Sequence, residues 1–378
     1  MFFTFGTFIV TCFEKDNMTT SIKKQLPNIS VLRAFLAITV VLLHVPLMTK
    51  NMGLPSFNDW PILQKGYNAV WVFFSLSGFL IINLLYKEKT KNGQVNVLKF
   101  YKRRILRIYP VYYFVLLFGL AYYHFLLPLM GIKFETNYSV IEALIWCVGF
   151  LPNVFFSLFD PGGILSVLWS IGIEEQFYLI IAPISRFIKS ERFKLILAIF
   201  TVIYFTCYFI PEFEFLRRYR FMFFYFSMGG LIAILNQQGK INFLIFLFFN
   251  RQIKWILYLL FFVYFFTNIL NFENEVLKHL VGLILFPLFI LNITEEKEII
   301  ISNRFLNYLG EISYGIYMYH MIALNLITFL VMKLELQSQF SPLFIILTLN
   351  LGTIIVTIVF AHLSFYYVEK KFINLKQR

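Results

Sequence analysis

Charged side chains are scarce in this chain. Asp, Glu, Lys and Arg supply 14% of its 378 residues, where a water-soluble domain carries about a quarter. That shortage, beside 59% hydrophobic residues, excludes a soluble globular protein. Cysteine is nearly absent too. Cys12, Cys147 and Cys207 lack metal or redox spacing, and an odd number cannot close into a disulfide framework. No cluster of His, Cys, Asp or Glu has ligand spacing, so no metal is expected. Long polar loops are also missing: none exceeds about 40 residues, which leaves one membrane domain and no room for another. No repeat or low-complexity segment is evident.

Long apolar runs fill the chain instead and imply an all-α fold, a polytopic membrane bundle. About ten spans are expected, over residues 31–48, 69–86, 105–127, 165–185, 193–210, 219–236, 253–270, 276–293, 311–332 and 342–367. The piece Val140–Phe156, between the third and fourth, is expected to be re-entrant or interfacial, because a full crossing would turn every later basic loop outward. A second piece, Ile241–Phe249, is too short to cross. Aromatic residues reach 20%, with 49 Phe, which fits a bilayer interior and carries no function by itself.

The formal net charge of +13 reads as topology, not as a nucleic-acid footprint. By alternate loops, about 25 of the 33 Lys and Arg fall on one side, the positive-inside asymmetry. Both termini are therefore expected in the cytosol. The expected organisation is a cytoplasmic segment 1–29, a transmembrane domain 30–368 and a cytoplasmic tail 369–378. The leading MFFTFGTFIVTCF lacks a basic n-region and is too short to span, and Met18 offers an alternative start.

Few polar groups lie inside the runs, and each needs a reason. Arg33 and His44 stand with ten residues between them within LRAFLAITVVLLHVPLM; eleven helical steps of about 100° return them to one face, roughly 16 Å apart. In FYKRRILRIYP, Arg104 and Arg107 share a face at the expected start of the third helix, with Arg103 beside them. Free backbone N–H groups there would add to a phosphate cradle. Glu174 and Glu175 interrupt the fourth span, each costing roughly 2.5–3.5 kcal/mol at the bilayer centre unless they pair or line a cavity. By depth, Glu174 and His44 are expected to meet in the outer half of the membrane, where a carboxylate could orient the imidazole. Ser313, Tyr314 and His320 lie along the start of the ninth span, with Glu311 solvated before it. His124, His279 and His362 show no partner spacing and read as structural.

Six segments then resemble the acyltransferase 3 family, polytopic acyl-CoA-dependent O-acyltransferases of bacterial surface glycans. They are LPNISVLRAFLAITVVLLH, VFFSLSGFLI, FYKRRILRIYP, LWSIGIEEQFYLIIAP, LGEISYGIYMYH and AHLSFYYVEKKFI, in family order from residue 26 to 373. The resemblance implies that Arg33 and His44 are essential, with His44 as catalytic base or acyl relay. It implies that Glu174 belongs to the reaction cavity and that Arg104 and Arg107, with Arg103, hold acyl-CoA. Ser77, Trp169, Glu175, Tyr178, Ser313, Tyr314 and His320 are further cavity candidates. Acyl-CoA, with acetyl the expected group, would be a co-substrate and no cofactor would be permanently bound. The acceptor would be a carbohydrate or glycolipid, and the location the bacterial cytoplasmic membrane. The family pattern often has acidic residues where this chain has Ser30 and Trp71, a departure consistent with a different acceptor. Two other readings share these residues: a glycan transporter, against which the lack of internal repeats counts, and an acyltransferase for a small diffusible sugar-bearing molecule.

Overall fold

A computed structural model of the chain describes residues 26, 28–57, 60–239, 251–294 and 300–375, with the backbone alone at 251 and 253. Among the described residues every regular element is helical. That is what lipid demands: with no water to bond exposed N–H and C=O groups, each spanning segment must satisfy its own backbone. The ten expected runs all fall on helices. These are α1 (Ile29–Asn51), α2 (Gly66–Asn92), α3 (Val97–Leu129), α6 (Gly163–Phe187), α7 (Ser190–Phe209), α8 (Phe223–Gln237), α9 (Arg251–Phe266), α10 (Glu275–Thr294), α12 (Ser313–Lys333) and α13 (Pro342–Asn374). Eight are long and apolar enough to cross a membrane. The two exceptions, α8 and α9, have 15 and 16 residues, or about 22–24 Å at 1.5 Å per residue, against a hydrocarbon core of about 30 Å.

Val140–Phe156 forms no crossing. It breaks into α4 (Val140–Val148) and α5 (Pro152–Phe159), each under ten residues. Ser139 and Glu142 close a capping box on α4, and Pro152 at the start of α5 blocks continuation. The break is anchored, since Gln176 on α6 donates to the Phe150 carbonyl at 2.6 Å and to Asn153 Oδ1 at 2.8 Å. A further short helix, α11 (Arg304–Glu311), precedes α12, and Glu311 is exposed as expected. The N-terminal segment, Cys12 and Ile241–Phe249 lie outside the described residues.

Helices α2 and α6 are the most buried of the long helices, and the site is built on them. They run parallel: Phe74 meets Trp169 edge-on near their starts, and at their ends Lys89 Nζ donates to the Ser185 carbonyl at 2.6 Å. Glycines let α8 lie directly on α2. A Cβ on Gly78 would overlap the Phe226 backbone, and one on Gly229 would overlap the Ser75 carbonyl. Small residues are the usual means of close approach between membrane helices, where packing rather than water drives association. Helix α1 runs antiparallel to α2 with Leu43 against Gly66, which sets His44 level with the beginning of α2.

Candidate functional site

The backbone geometry of α3 differs from the expectation. The helix begins at Val97, where Asn96 Oδ1 accepts from the Lys99 N–H at 2.9 Å. Arg104 and Arg107 therefore lie about 10 and 15 Å inside it, and the open N–H groups of the first turn do not serve them. They turn instead into a buried cavity of about 120 Å³ in the middle of the bundle. Arg33 of α1, Ser77 of α2, Ser170, Glu174 and Tyr178 of α6, and Ser313, Tyr314 and Tyr317 of α12 line the same space. Arg104 lies over the Phe100 and Tyr178 rings at 5.8 and 6.0 Å, and its Nε is buried without a hydrogen-bond partner. Three arginines face one carboxylate on the wall. Glu369, buried behind Arg107 at the end of a π-helical turn of α13, offsets part of that excess. Sequence reasoning had not singled out Glu369; the signal available was a carboxylate at the end of an apolar run.

Glu174 accepts hydrogen bonds from Ser77 and Tyr178. The structure gives it no contact with His44, so the expected Glu174–His44 meeting does not occur. The reason is axial: the helix carrying Glu174 begins at Gly163, so Glu174 lies deeper than expected, at the arginine level of the bundle, while His44 lies eleven residues beyond Arg33 along α1. Arg103 also leaves the group, turning to Glu88 at 3.6 Å. Glu175, turned about 100° from Glu174 on α6, is buried toward Tyr101, Tyr109 and Tyr113, with Oε1 unpartnered. Trp169 belongs to a different cavity, described below.

The partner of His44 is His320. His44 Nδ1 is 2.8 Å from the Val40 carbonyl oxygen and 3.3 Å from His320 Nε2, while His320 Nδ1 is 2.5 Å from the Tyr317 carbonyl oxygen. A carbonyl only accepts, so both Nδ1 atoms carry protons. His320 Nε2 is then a bare acceptor for His44 Nδ1–H, and His44 Nε2 holds a free lone pair. His320 is fully buried and His44 only partly. His320 thus takes the orienting place that the sequence reading gave to a carboxylate. The pair is joined to the arginine cavity by Tyr317, whose hydroxyl is 2.6 Å from Ser170 Oγ and donates to the Val167 carbonyl at 3.2 Å.

Two of the other histidines are hydrogen-bonded: His362 Nδ1 lies 2.5 Å from the Tyr308 hydroxyl and His279 Nδ1 is 3.0 Å from the Tyr225 hydroxyl, while His124 sits edge-on to Tyr138 with its Nε2 buried and without a hydrogen bond. His279 also lines a second, larger cavity of about 380 Å³ at the beginning of α2. No group of three or more His, Cys, Asp or Glu able to hold a metal occurs among the described residues.

A multi-pass helical membrane protein with an arginine-lined cavity beside an imidazole pair is the class these features define. Residues 26–362 match the acyltransferase domain family, acyltransferase 3, and the chain belongs to it. It is thus a member of a family of enzymes that transfer acyl groups other than amino-acyl groups. It is similar to the peptidoglycan O-acetyltransferase OatA of Listeria monocytogenes, 31% identical over 160 residues, 42% of this chain and 24% of that protein. The O-acetyltransferase OatA of Staphylococcus aureus is 31% identical over 179 residues, 45% of this chain and 26% of the relative. The match therefore spans about a quarter of those relatives' length. An Acidianus two-tailed virus protein named as an acetyltransferase, ORF330, is 28% identical over 324 residues, 82% of this chain and 86% of its own. No solved structure matches.

Proposed function

We propose that the chain is a membrane O-acetyltransferase that takes an acetyl group from cytosolic acetyl-CoA and places it on a hydroxyl of a cell-surface glycan or glycolipid. The observation that carries this reading is the closeness of two unlike sites. Tyr317 lines an arginine-lined cavity fit for phosphate oxygens, where its hydroxyl meets Ser170, and its backbone carbonyl accepts from His320, the partner of His44 with its free Nε2 lone pair. Three arginines against one lining carboxylate leave buried positive charge that an anionic ligand would neutralise. The cavity is too small for a whole CoA, so the nucleotide stays toward the start of α3. The pantetheine arm then runs along α1 from Arg33 to His44, about 16 Å.

At His44 the acceptor hydroxyl gives its proton to Nε2 as its oxygen attacks the thioester carbon. The carbon–sulfur bond breaks, and CoA leaves as a thiol with that same proton. Positive charge developing on His44 is stabilised at Nδ1–H by the Val40 carbonyl and His320 Nε2. The same Nε2 could instead carry the acetyl group as an acyl-imidazole before the hydroxyl attacks. With the basic ends of α2 and α6 gathered on one side and taken as cytosolic, both termini are inside and His44 lies nearer the outer face.

The test uses purified protein, acetyl-CoA and a saccharide acceptor. His44→Ala should abolish transfer and leave acetyl-CoA affinity unchanged. Arg104→Ala with Arg107→Ala should weaken acetyl-CoA binding by roughly two to four decades, from two charge-assisted contacts of about 1.5–3 kcal/mol each. Full transfer by His44→Ala, or unchanged acetyl-CoA affinity in the double variant, would remove the reading.

A further inference from the structure

The second cavity is chemically unlike the first. Gln64, Lys65, Tyr67, Asn68 and Trp71 approach it from the beginning of α2, Trp169 from α6, and Asn271, Glu275, Lys278 and His279 from α10 and the turn before it. Tyr208, Arg217 and Arg220 complete the wall from the end of α7 and the turn leading to α8. Its cations are Lys65, Arg217, Arg220 and Lys278, and its single carboxylate is Glu275.

The charges are not equally committed. Glu275 Oε1 accepts from Lys278 at 3.2 Å, and Arg217 donates to the Tyr208 carbonyl at 2.7 Å. Lys65 lies over the Tyr264 ring at 5.1 Å. Arg220 has no carboxylate partner among the described residues. Its guanidinium is held by three rings, Phe156, Trp169 and Tyr67, at 4.6, 4.9 and 5.4 Å, and its Nη1 is buried without a hydrogen bond. Its backbone sits at φ 58, a left-handed conformation that a non-glycine residue adopts at a cost. Strain and a half-buried cation whose Nη1 lacks a hydrogen bond together place a guanidinium where packing alone would not.

Beside it stand ring faces. Trp71 stacks on Tyr225 at 5.9 Å and lies 4.3 Å from His279, with Lys278 over it at 5.6 Å. Aromatic faces with interleaved hydrogen-bonding groups suit a pyranose, whose C–H face is apolar and whose rim is polar. At about 380 Å³ the space is of small-ligand size. It also adjoins the arginine cavity: Trp71 and Trp169 face this cavity while their neighbours Val70 and Ser170 face the other, and Leu43 against Gly66 brings His44 to the level of the start of α2, where this cavity lies.

We propose that this cavity is the acceptor subsite and that it selects an acidic sugar, stacked on Trp71 and Trp169, whose carboxylate or phosphate pairs with Arg220 and Lys278. The inference rests on the acetyl-transfer reading for the word acceptor, but the binding it asserts needs no transfer. It gives Trp71 a role at the position where the resembling family often carries an acid: an indole in place of a carboxylate removes a charge that would repel such a sugar.

The experiment titrates purified protein, by tryptophan fluorescence, with three probes of equal length: a glucuronate-containing oligosaccharide, a phosphorylated oligosaccharide and a neutral one. At least one acidic probe should bind tenfold or more tightly than the neutral one, and which of the two does so identifies the acidic group. Lys278→Gln, which also releases Glu275 and the Trp71 face from the ammonium, should reduce that preference about fivefold. Arg220→Gln should abolish it, and Trp71→Ala should weaken all three probes. Equal binding of the acidic and neutral probes, or an unchanged preference in both Lys278→Gln and a folded Arg220→Gln, would overturn the inference. Acetyl-CoA affinity measured on the same samples separates the two readings. Loss of sugar selectivity with acetyl-CoA still bound defeats the subsite alone, whereas acetyl-CoA that does not bind defeats the donor reading and leaves the sugar result standing.

Discussion

His320 offers the sharpest test of the imidazole pair. His320→Ala removes the nitrogen that faces His44 Nδ1 at 3.3 Å but leaves the Val40 carbonyl, at 2.8 Å, to hold the same tautomer. His44 Nε2 thus keeps its lone pair and the reaction keeps its base. What is lost is one acceptor for the charge that develops on the ring in the transition state. A hydrogen bond to a charged group contributes about 1.5–3 kcal/mol, and a 3.3 Å separation places this one at the weak end. At about 1.4 kcal/mol per decade, kcat should fall about tenfold, and by no more than about a hundredfold. KM for acetyl-CoA should not move, because Arg104 and Arg107 lie at another level of the bundle.

Steady-state release of CoA, followed with a thiol-reactive dye, reads both constants. Because His320 is fully buried, the variant must first elute as a single species and bind acetyl-CoA normally. His320→Gln should recover part of the loss, since an amide oxygen can accept from Nδ1–H. A loss as complete as that of His44→Ala in a folded His320→Ala protein would make His320 itself the base or acyl carrier. No loss at all would reduce the pair to packing.

Two further outcomes follow from the helix contacts and the charge pattern. Gly78→Val or Gly229→Val should lower thermal stability in detergent by about 1–3 kcal/mol or more, because the added carbons meet backbone that cannot yield; an unchanged melting temperature would show that α2 and α8 can separate freely. With Cys12, Cys147 and Cys207 removed, cysteines at the exposed positions Asn92 and Lys189 should be shielded from an impermeant thiol reagent in intact cells, and one at the exposed Gln337 should react. Labelling at Lys189 from outside would reverse the proposed orientation from α6 onward.

Much of the frame was legible because one physical rule dominates it. A run of apolar residues in lipid has to be a helix, so the ten runs appear as helices near the expected positions, and Val140–Phe156, interrupted by Gly149 and Pro152, does not cross. The ends were less legible. Alpha3 begins eight residues before the apolar run it carries, because Asn96 caps it and the intervening Lys and Arg are acceptable helix formers. Apolarity reports the lipid-facing length, whereas the helix itself is set by its caps.

Side-chain partners were least legible, for a rotational reason. Each step along a helix turns the side chain by about 100°, and neighbours in the sequence become strangers in space. On α6, Trp169 faces the large aromatic cavity, Ser170 and Glu174 face the arginines, and Glu175 faces the tyrosines of α3. A residue's surroundings therefore depend on which helix lies at its particular angle, and a single chain does not disclose that. His44 illustrates the consequence. Its partner lies 276 positions away on α12, at a histidine the sequence had placed only among the cavity candidates. Depth counted from the ends of the apolar runs favoured Glu174, but the helices extend past those ends, to Gly163 and Asn51, and the angle between helices cannot be counted at all. Parallel runs remove part of that ambiguity: α1 and α12 travel the same way, and Arg33 and Ser313 near their starts line one cavity. A partner for His44 on α12 therefore lies further along that helix than Ser313, as His320 does.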